Sequence, residues 1–244
     1  MFFLLAADAM TDASHSQQDA PVADPTESDH ARSIARSLLD VEAVKLRPTD
    51  PFTWSSGLVA PIYCDNRLTL SYPRIRRSIR DGFAAHLRER SVLPATIAGT
   101  ATAGIPHAAW LADAVDAPMA YVRDSAKGHG TGARIEGVVE AGDTVVLVED
   151  LISTGGSALD AVEALRNVGA IVPTVLAIFS YQLDTAEAAF REAGVERFVL
   201  SDFPTLIEVA HEEERLSDAE LRALKAWRAD PIAWSVEHGG AQPN

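Results

Sequence analysis

The chain has 244 residues, of which 47% are hydrophobic and 23% charged, a composition typical of a globular protein with one substantial domain. Its formal net charge of −14 argues against nucleic-acid binding as the main function, because that function needs a basic face. The single cysteine, Cys64, excludes an intramolecular disulfide and a cysteine-rich metal site, and it fits a reducing compartment.

Residues 1–30 are predicted to form a disordered acidic tail. They contain six acidic residues and no Lys or Arg, and they show no apolar periodicity. The apolar start, residues 1–7, lacks the basic region of a signal peptide and is too short to cross a bilayer, and Met10 is an alternative first residue. We therefore expect a cytoplasmic protein that makes no contact with a membrane.

An ordered domain is predicted over residues 31–230, followed by a flexible C-terminus at 231–244. The domain opens with a helix, because Ile34 and Leu38 recur at helical spacing. A second helix is expected at 73–90, where Pro73 suits the first turn. Its apolar residues fall four apart: Ile75, Ile79, Phe83 and Leu87.

Strands and helices alternate from residue 96 onward. The predicted strands lie at 96–99, 118–123, 145–148 and 172–179. The predicted helices between them lie at 105–114 and 158–168, and Gly169 ends the second. Such alternation favours βαβ units, and so an α/β fold with a central parallel sheet flanked by helices.

Residues 124–134, between the second and third predicted strands, have a different composition. They hold three glycines beside Lys127, His129 and Arg134, without apolar periodicity. A plain surface connection is the simple interpretation. A mobile functional lid is the alternative, which the glycines around Lys and His favour.

The chemistry is concentrated in the segment that follows the strand predicted at 145–148. Two carboxylates come first, and small and hydroxyl residues then lead into a helix. The segment consists of Glu149, Asp150, Leu151, Ile152, Ser153, Thr154, Gly155, Gly156 and Ser157. The glycines let the backbone approach a ligand, and amides at a helix N-terminus bind phosphate. The carboxylates repel phosphate and suit ribose hydroxyls or a hydrated magnesium ion.

Two other phosphate-binding motifs are excluded, since no Gly-Lys-Ser/Thr follows the glycines and no Gly-x-Gly-x-x-Gly is present. A strand-to-helix turn capped by an acidic residue is the purely structural alternative. Ser157 is expected to cap the helix, to bind phosphate, or to do both.

The segment at 145–157 resembles the phosphoribosyl-diphosphate motif of type I phosphoribosyltransferases, which indicates the ligand but not the base. Residues 52–67 are similar to the N-terminal signature of the orotate phosphoribosyltransferase family, and residues 121–130 to its catalytic loop. Residues 99–105 match its diphosphate-facing loop, so the resemblance covers about residues 31–230. It implies a type I phosphoribosyltransferase fold with a small N-terminal hood near 31–70, plus C-terminal elements.

The resemblance implies an enzyme that transfers ribose 5-phosphate from phosphoribosyl diphosphate to orotate, giving orotidine 5′-monophosphate for UMP synthesis. Arg123, Lys127 and His129 would contact the diphosphate. Lys127 and His129, the catalytic residues, would lie on a loop that closes over the neighbouring subunit's site in a homodimer. Residues 149–157 would hold the ribose 5-phosphate, and Ser153 would also touch orotate. Mg²⁺ is the implied cofactor, held mainly by diphosphate and water with no direct side-chain ligand.

Four positions depart from the family pattern, because polar or basic residues are common there: Ser55, Val59, Ala60 and Asp124. We therefore expect fewer positive charges around the bound diphosphate. Arg67 is expected to serve either the site or the dimer interface, and the sequence favours neither role. Two alternatives are an enzyme of the same fold that uses another base and a nucleic-acid-binding regulator. Residues 52–67 argue against the first, and the acidic charge together with Lys127 against the second.

Overall fold

The computed structural model describes residues 25–54, 56–124 and 134–240. These residues form helices and strands in the following chain order: α1 (Pro25–Asp40), β1 (Val44–Leu46), β2 (Phe52–Thr53), β3 (Val59–Ala60), β4 (Ile62–Cys64), the 3-10 helix η1 (Asn66–Ser71), α2 (Pro73–Glu89), β5 (Thr96–Thr100), α3 (Gly104–Val115), β6 (Met119–Val122), β7 (Ile135–Glu136), β8 (Val145–Ile152), α4 (Gly156–Asn167), β9 (Thr174–Ser180), α5 (Asp184–Ala193), β10 (Glu196–Asp202), α6 (Phe203–Glu212), α7 (Asp218–Ala229) and α8 (Pro231–Glu237).

A six-stranded sheet in the order β10-β9-β8-β5-β6-β7 forms the centre of the molecule. Five of its strands are parallel to their neighbours, and the two-residue strand β7 pairs antiparallel with β6 at one edge. Helices α3, α4 and α5 connect successive parallel strands. The predicted α/β fold with a central parallel sheet is therefore confirmed. The carboxyl ends of β5, β6 and β8 lie at one edge of the sheet, where parallel sheets bind ligands.

Helices cover both faces of the sheet. Val145 and Leu147 of β8 pack with residues of α4 and α5, whereas Val146 and Val148 pack with α1, α2, α3 and α6. All four residues are fully buried. Burial on both faces explains why this strand is a continuous apolar run in the sequence and shows no alternation.

The hood consists of β1 to β4 and α8. Strand β1 pairs antiparallel with β4, and β2 with β3. Val59 and Ala60 of β3 are buried, and the Val59 backbone N–H donates to Ser235 Oγ of α8 at 2.9 Å. The Trp54 indole N–H donates to the Ile62 carbonyl at 3.0 Å. The last helix of the chain therefore closes the hood formed by early strands.

The predicted helices and strands are found within a few residues of their expected bounds. Helix α2 begins at Pro73, which occupies its first turn, and its residues Ile79, Phe83 and Leu87 are buried. Gly169 has a φ of 90° directly after α4, which suits the helix end predicted there.

Two predicted boundaries need correction. Helix α1 begins at Pro25, inside the predicted tail, since a polar first turn needs no buried residue when later turns are packed. Helix α8 lies inside the segment predicted to be flexible, and its Trp234 is only 5% exposed. The sequence from Pro231 and Ile232 onward, where α8 starts, shows no helical periodicity of apolar residues. Residues 1–24 and 241–244 lie outside the described part of the chain.

Candidate functional site

The carboxylates of the site lie in β8 itself, at the point where the strand loses one neighbour. Strand β5 pairs with β8 only as far as Gly99 and Val148, whereas β9 continues to pair until Ile152 and Ser180. The strand predicted at 145–148 was therefore too short, because β9 supports four further residues. Beyond Val148, the side of β8 that faced β5 is open to the loop after β5.

Glu149 is a buried carboxyl group that is 6% exposed. Its Oε1 accepts hydrogen bonds from the Thr100 hydroxyl at 2.7 Å and from the Asp150 backbone N–H at 2.9 Å. Burial, followed by the charge of Asp150, raises the pKa of Glu149 to about 8. The charged form of this group is therefore costly at neutral pH without a partner.

Asp150 is half-buried, and η1 holds its backbone. The buried Asn66 side chain donates from Nδ2 to the Asp150 carbonyl at 2.6 Å. Burial raises the pKa of Asp150, while a hydrogen bond with Glu149 and the charge of Arg67 oppose the rise. Arg67 itself is exposed and pairs with Asp65 at 2.6 Å. The carboxyl groups of Glu149 and Asp150 are thus adjacent, and the exposed guanidinium of Arg67 lies near them.

The turn after β8 brings backbone amides beside these carboxyl groups. Gly155 has a φ of 88°, and a Cβ there would lie 2.8 Å from the Phe190 ring, so glycine is required for both reasons. Gly155 is also the N-cap of α4, and no side chain caps that helix. The capping role considered for Ser157 is therefore wrong, and so is the alternative of an acid-capped turn. Ser157 is exposed in the first turn, where helical N–H groups lack helical acceptors.

Arg123 follows β6 and lies beside the same end of the sheet. Its Nη1 is 3.6 Å from Glu136 Oε1 of β7, and this buried nitrogen has no hydrogen-bond partner among the described residues. A cavity of about 140 Å³ adjoins it. The cavity is lined by Thr100, Val122, Arg123, Asp124, Arg134, Ser157, Asp160 and Ala161. The structure therefore brings Arg123 and Ser157, which are separated in sequence, to one cavity.

The loop after β5, for which a diphosphate contact was predicted, packs directly on β8. A Cβ at Gly104 would lie 2.4 Å from the Val148 carbonyl oxygen and 2.6 Å from Thr100 Oγ1. The peptide bond between Ala101 and Thr102 in this loop is cis. Only glycine fits at position 104, so the loop is held close to the carboxyl-bearing end of β8.

Lys127, His129 and Ser55 lie outside the described residues. Of the other departures from the family pattern, Val59 and Ala60 are buried in the hood, and Asp124 is exposed. Apolar residues at 59 and 60 are thus explained by packing under α8.

The described residues hold neither a metal-binding cluster nor a membrane-spanning helix. No three His, Cys, Asp or Glu side chains there converge into a group that could hold a metal ion. Among the helices of the same part of the chain, none has the length and apolar character needed to cross a membrane.

Sequence reasoning missed three side chains of the site: Thr100, Asn66 and Glu136. Each contacts a predicted site residue that is distant in sequence: Thr100 contacts Glu149, Asn66 contacts Asp150, and Glu136 contacts Arg123. Thr100 and Asn66 stand in stretches that had been singled out, but a polar residue type alone does not reveal its partner. The remaining arrangement, two carboxyl groups beside a helix N-terminus, suits a ligand with adjacent hydroxyls and a phosphate.

Comparison with known proteins gives a consistent result. The phosphoribosyl transferase domain family matches residues 71–193. An orotate phosphoribosyltransferase of Halalkalibacterium halodurans is 52% identical over 203 residues, which cover 83% of this chain and 97% of that protein.

Solved structures agree with this match. The orotate phosphoribosyltransferase of Aeropyrum pernix has a TM-score of 0.65 and 29% identity, with coverage of 75% of this chain and 99% of that one. Leishmania donovani UMP synthase has a TM-score of 0.70 and 27% identity, and it covers 83% of this chain, which spans only 43% of that protein. The family match at 71–193 includes Thr100, Arg123 and all of residues 149–157.

Proposed function

The chain belongs to the orotate phosphoribosyltransferase family, and from this premise we propose how its residues divide the work of the reaction. The enzyme is a pentosyltransferase that moves ribose 5-phosphate from 5-phosphoribosyl 1-diphosphate to orotate. The products are orotidine 5′-monophosphate and diphosphate, in the synthesis of UMP. One observation carries the assignment of residues: Glu149 and Asp150 lie at the open end of β8, directly before the N-terminus of α4.

The ribose 5-phosphate group occupies the site segment, residues 149–157. The carboxyl groups of Glu149 and Asp150 accept hydrogen bonds from the two ribose hydroxyls. The 5-phosphate binds the backbone N–H groups at the start of α4, with Thr154 and Ser157 hydroxyls as further donors. The positive end of the helix dipole stabilises the phosphate charge there. Ser153, at the inner end of the turn, contacts the orotate ring.

Transfer begins as the bond between C1 and the diphosphate oxygen weakens, which leaves positive charge on the ribosyl carbon and negative charge on the diphosphate. Arg123, Lys127 and His129 stabilise the diphosphate charge. The N1 atom of orotate attacks C1 as the C1–O bond to diphosphate breaks, and the N1 proton passes to an oxygen of the departing diphosphate, so no side chain is needed as a general base. Closure of the loop that carries Lys127 excludes water from the ribosyl carbon.

Mg²⁺ fits this donor set as a cofactor that enters with the diphosphate. Carboxylate oxygens are ligands of the type that Mg²⁺ prefers, and it commonly keeps several waters and substrate oxygens in its shell. When bound, Mg²⁺ supplies further positive charge to the leaving diphosphate. Glu149 and Asp150 would contact it through water, since their carboxyl groups face the ribose in this arrangement. A cytoplasmic location is part of the proposal, supported by the single cysteine.

The substrate is tested by an absorbance assay of orotate consumption with phosphoribosyl diphosphate and Mg²⁺, run beside adenine, hypoxanthine and uracil. We expect consumption of orotate alone, and its loss when EDTA removes the metal. Transfer to another base with orotate inert would contradict the choice of substrate.

Lys127→Ala tests the diphosphate contact. We expect turnover to fall at least about tenfold, because removal of one preorganised donor commonly costs on the order of 10²–10³ in rate. Lys225→Ala, at an exposed position on α7, is the matched control and should keep wild-type turnover. Near-wild-type turnover of Lys127→Ala would remove this lysine from the mechanism.

We propose a homodimer in which the loop of one subunit completes the site of the other. Mixing two impaired variants tests this arrangement. Lys127→Ala and Asp150→Asn chains are unfolded together and refolded. If the loop acts on the neighbouring subunit, mixed dimers contain one intact site and activity returns. If each loop serves its own subunit, every site keeps one defect and the mixture stays inactive.

A further inference from the structure

Thr100 connects the diphosphate-facing loop to the ribose-binding carboxyl group. It is the last residue of β5 and is 4% exposed. Its hydroxyl oxygen lies 2.7 Å from Glu149 Oε1 and 3.3 Å from the Val148 carbonyl oxygen. A hydroxyl has one hydrogen to donate, and the shorter contact to the carboxyl group is the stronger bond.

The same carboxyl oxygen has a second donor, since the Asp150 backbone N–H lies 2.9 Å from it. Two donors from different directions fix the rotation of the Glu149 carboxyl group. The first donor is a side chain of β5 and the second is the backbone of β8. Removal of the hydroxyl leaves Oε1 with one bond and the group free to turn.

The hydroxyl cannot move away, because its surroundings are filled. A Cβ at Gly104 would lie 2.6 Å from Thr100 Oγ1 and 2.4 Å from the Val148 carbonyl oxygen. A Cβ at Gly99 would lie 2.8 Å from Ile105 Cα. The loop start is therefore packed tightly against both α3 and β8, and it determines where the Thr100 oxygen lies.

We propose that Thr100 is a positioning residue for the transfer reaction, and that its hydroxyl orients Glu149 to accept the ribose hydroxyls. The proposal rests on the assignment of residues 149–157 to ribose 5-phosphate. Thr100 acts through Glu149 and does not itself contact the ribose. The loop that faces the diphosphate and the carboxyl group that holds the ribose are thereby joined by one hydrogen bond.

The test compares Thr100→Val, which keeps the branched shape and loses the hydroxyl, with Thr100→Ser, which keeps the hydroxyl. We expect the Kd for phosphoribosyl diphosphate with Mg²⁺, measured by calorimetry, to rise about tenfold in Thr100→Val, the usual scale for a hydrogen bond to a charged group. Thr100→Ser should stay within about threefold of wild type. The KM for phosphoribosyl diphosphate should rise with the Kd, while kcat changes less.

A pH profile separates this role from a structural one. The Thr100 hydrogen bond lowers the pKa of Glu149, so its loss should move the acid limb of kcat/KM to higher pH in Thr100→Val alone. The titratable and charged groups nearby are the same in all variants: Asp150 lies beside Glu149 on β8, and Arg67 of η1, Cys64 of β4 and Tyr181 after β9 interact with Asp150. A wild-type Kd and pH profile in Thr100→Val would overturn the proposal.

A double-mutant cycle with Glu149→Ala separates loss of the hydrogen bond from a general disturbance of folding in Thr100→Val. If Thr100 acts through Glu149, Thr100→Ser and Thr100→Val have equal Kd values when Glu149 is also replaced by Ala, which removes the acceptor oxygen, whereas Gln would keep one. A tenfold difference that persists there would overturn the proposal. Failure of the wild-type chain to consume orotate is a separate result, which would contradict the function and leave the calorimetric comparison interpretable.

Discussion

The site segment and the hood are built in opposite ways. The site segment is nine consecutive residues, and its two carboxyl groups lie together at a cost, as the raised pKa of Glu149 indicates. The hood joins residues 176 positions apart through one hydrogen bond, between Val59 and Ser235, and buries apolar side chains. The difference teaches that distant packing stabilises this chain, whereas the segment proposed to bind the ligand lowers its stability.

The aromatic residues beneath the hood extend this contrast. Trp54 stacks on Tyr181 with ring centroids 5.6 Å apart, and it meets Trp227 edge-on at 6.1 Å. Tyr181 directly follows β9 and its N–H donates to the Ile152 carbonyl at 3.1 Å. The two regions therefore touch through Tyr181, so a change in hood packing reaches the end of β8.

The largest expected effect on stability is that of Trp234→Ala in the hood. Trp234 is 5% exposed, and truncation of a buried tryptophan commonly lowers the free energy of unfolding by about 3–5 kcal/mol. Urea denaturation measures the change. Ile232→Ala, on the same helix but 51% exposed, should stay within about 0.5 kcal/mol of wild type. Equal losses of stability in Trp234→Ala and Ile232→Ala would contradict the view that buried apolar side chains stabilise the hood.

Ser235→Ala is expected to have an intermediate effect. The Ser235 side chain is fully buried, and its loss leaves the Val59 N–H without an acceptor, at a cost of about 1–3 kcal/mol. Ser33→Ala, at an exposed position of α1, is the control with the same chemical change. Chemical denaturation of both variants compares the costs. A Ser235→Ala chain as stable as Ser33→Ala would show that α8 does not secure β3.

The effect of Glu149→Gln on stability should have the opposite sign, and it should depend on pH. The folded pKa of Glu149, about 8, lies above the ordinary value of 4.5, so the folded chain binds the extra proton and wild-type stability falls as pH rises between these values. The variant lacks this loss. The melting temperature of the variant should exceed that of wild type at pH 8.5, and the gap should close near pH 5.

Thermal melts from pH 5 to 9 measure this difference, with Glu192→Gln at an exposed position of α5 as the control. A gap independent of pH, or one that grows toward acid pH, would mean that Glu149 carries no unfavourable charge in the free chain.

The contrast also explains which features the sequence could predict. The strand, the acidic pair and the glycine turn are contiguous, so residues 149–157 could be proposed as a site from their order alone. The contacts from Thr100 to Glu149 and from Asn66 to Asp150 depend on which strands and helices lie side by side, and that order is not written in any one segment. Helix α8 was missed because seven residues are too few to reveal a period, and only docking on β3 makes its Trp234 a core residue.

The central claim is that residues 149–157 bind phosphoribosyl diphosphate through the carboxyl groups at the end of β8. Calorimetric titration of phosphoribosyl diphosphate with Mg²⁺ into wild-type and Asp150→Asn chains tests it most directly. We predict that affinity falls roughly 10- to 100-fold in Asp150→Asn, the scale of lost hydrogen bonds to a charged group, while the melting temperature does not fall. Unchanged affinity in the variant would contradict the ribose assignment.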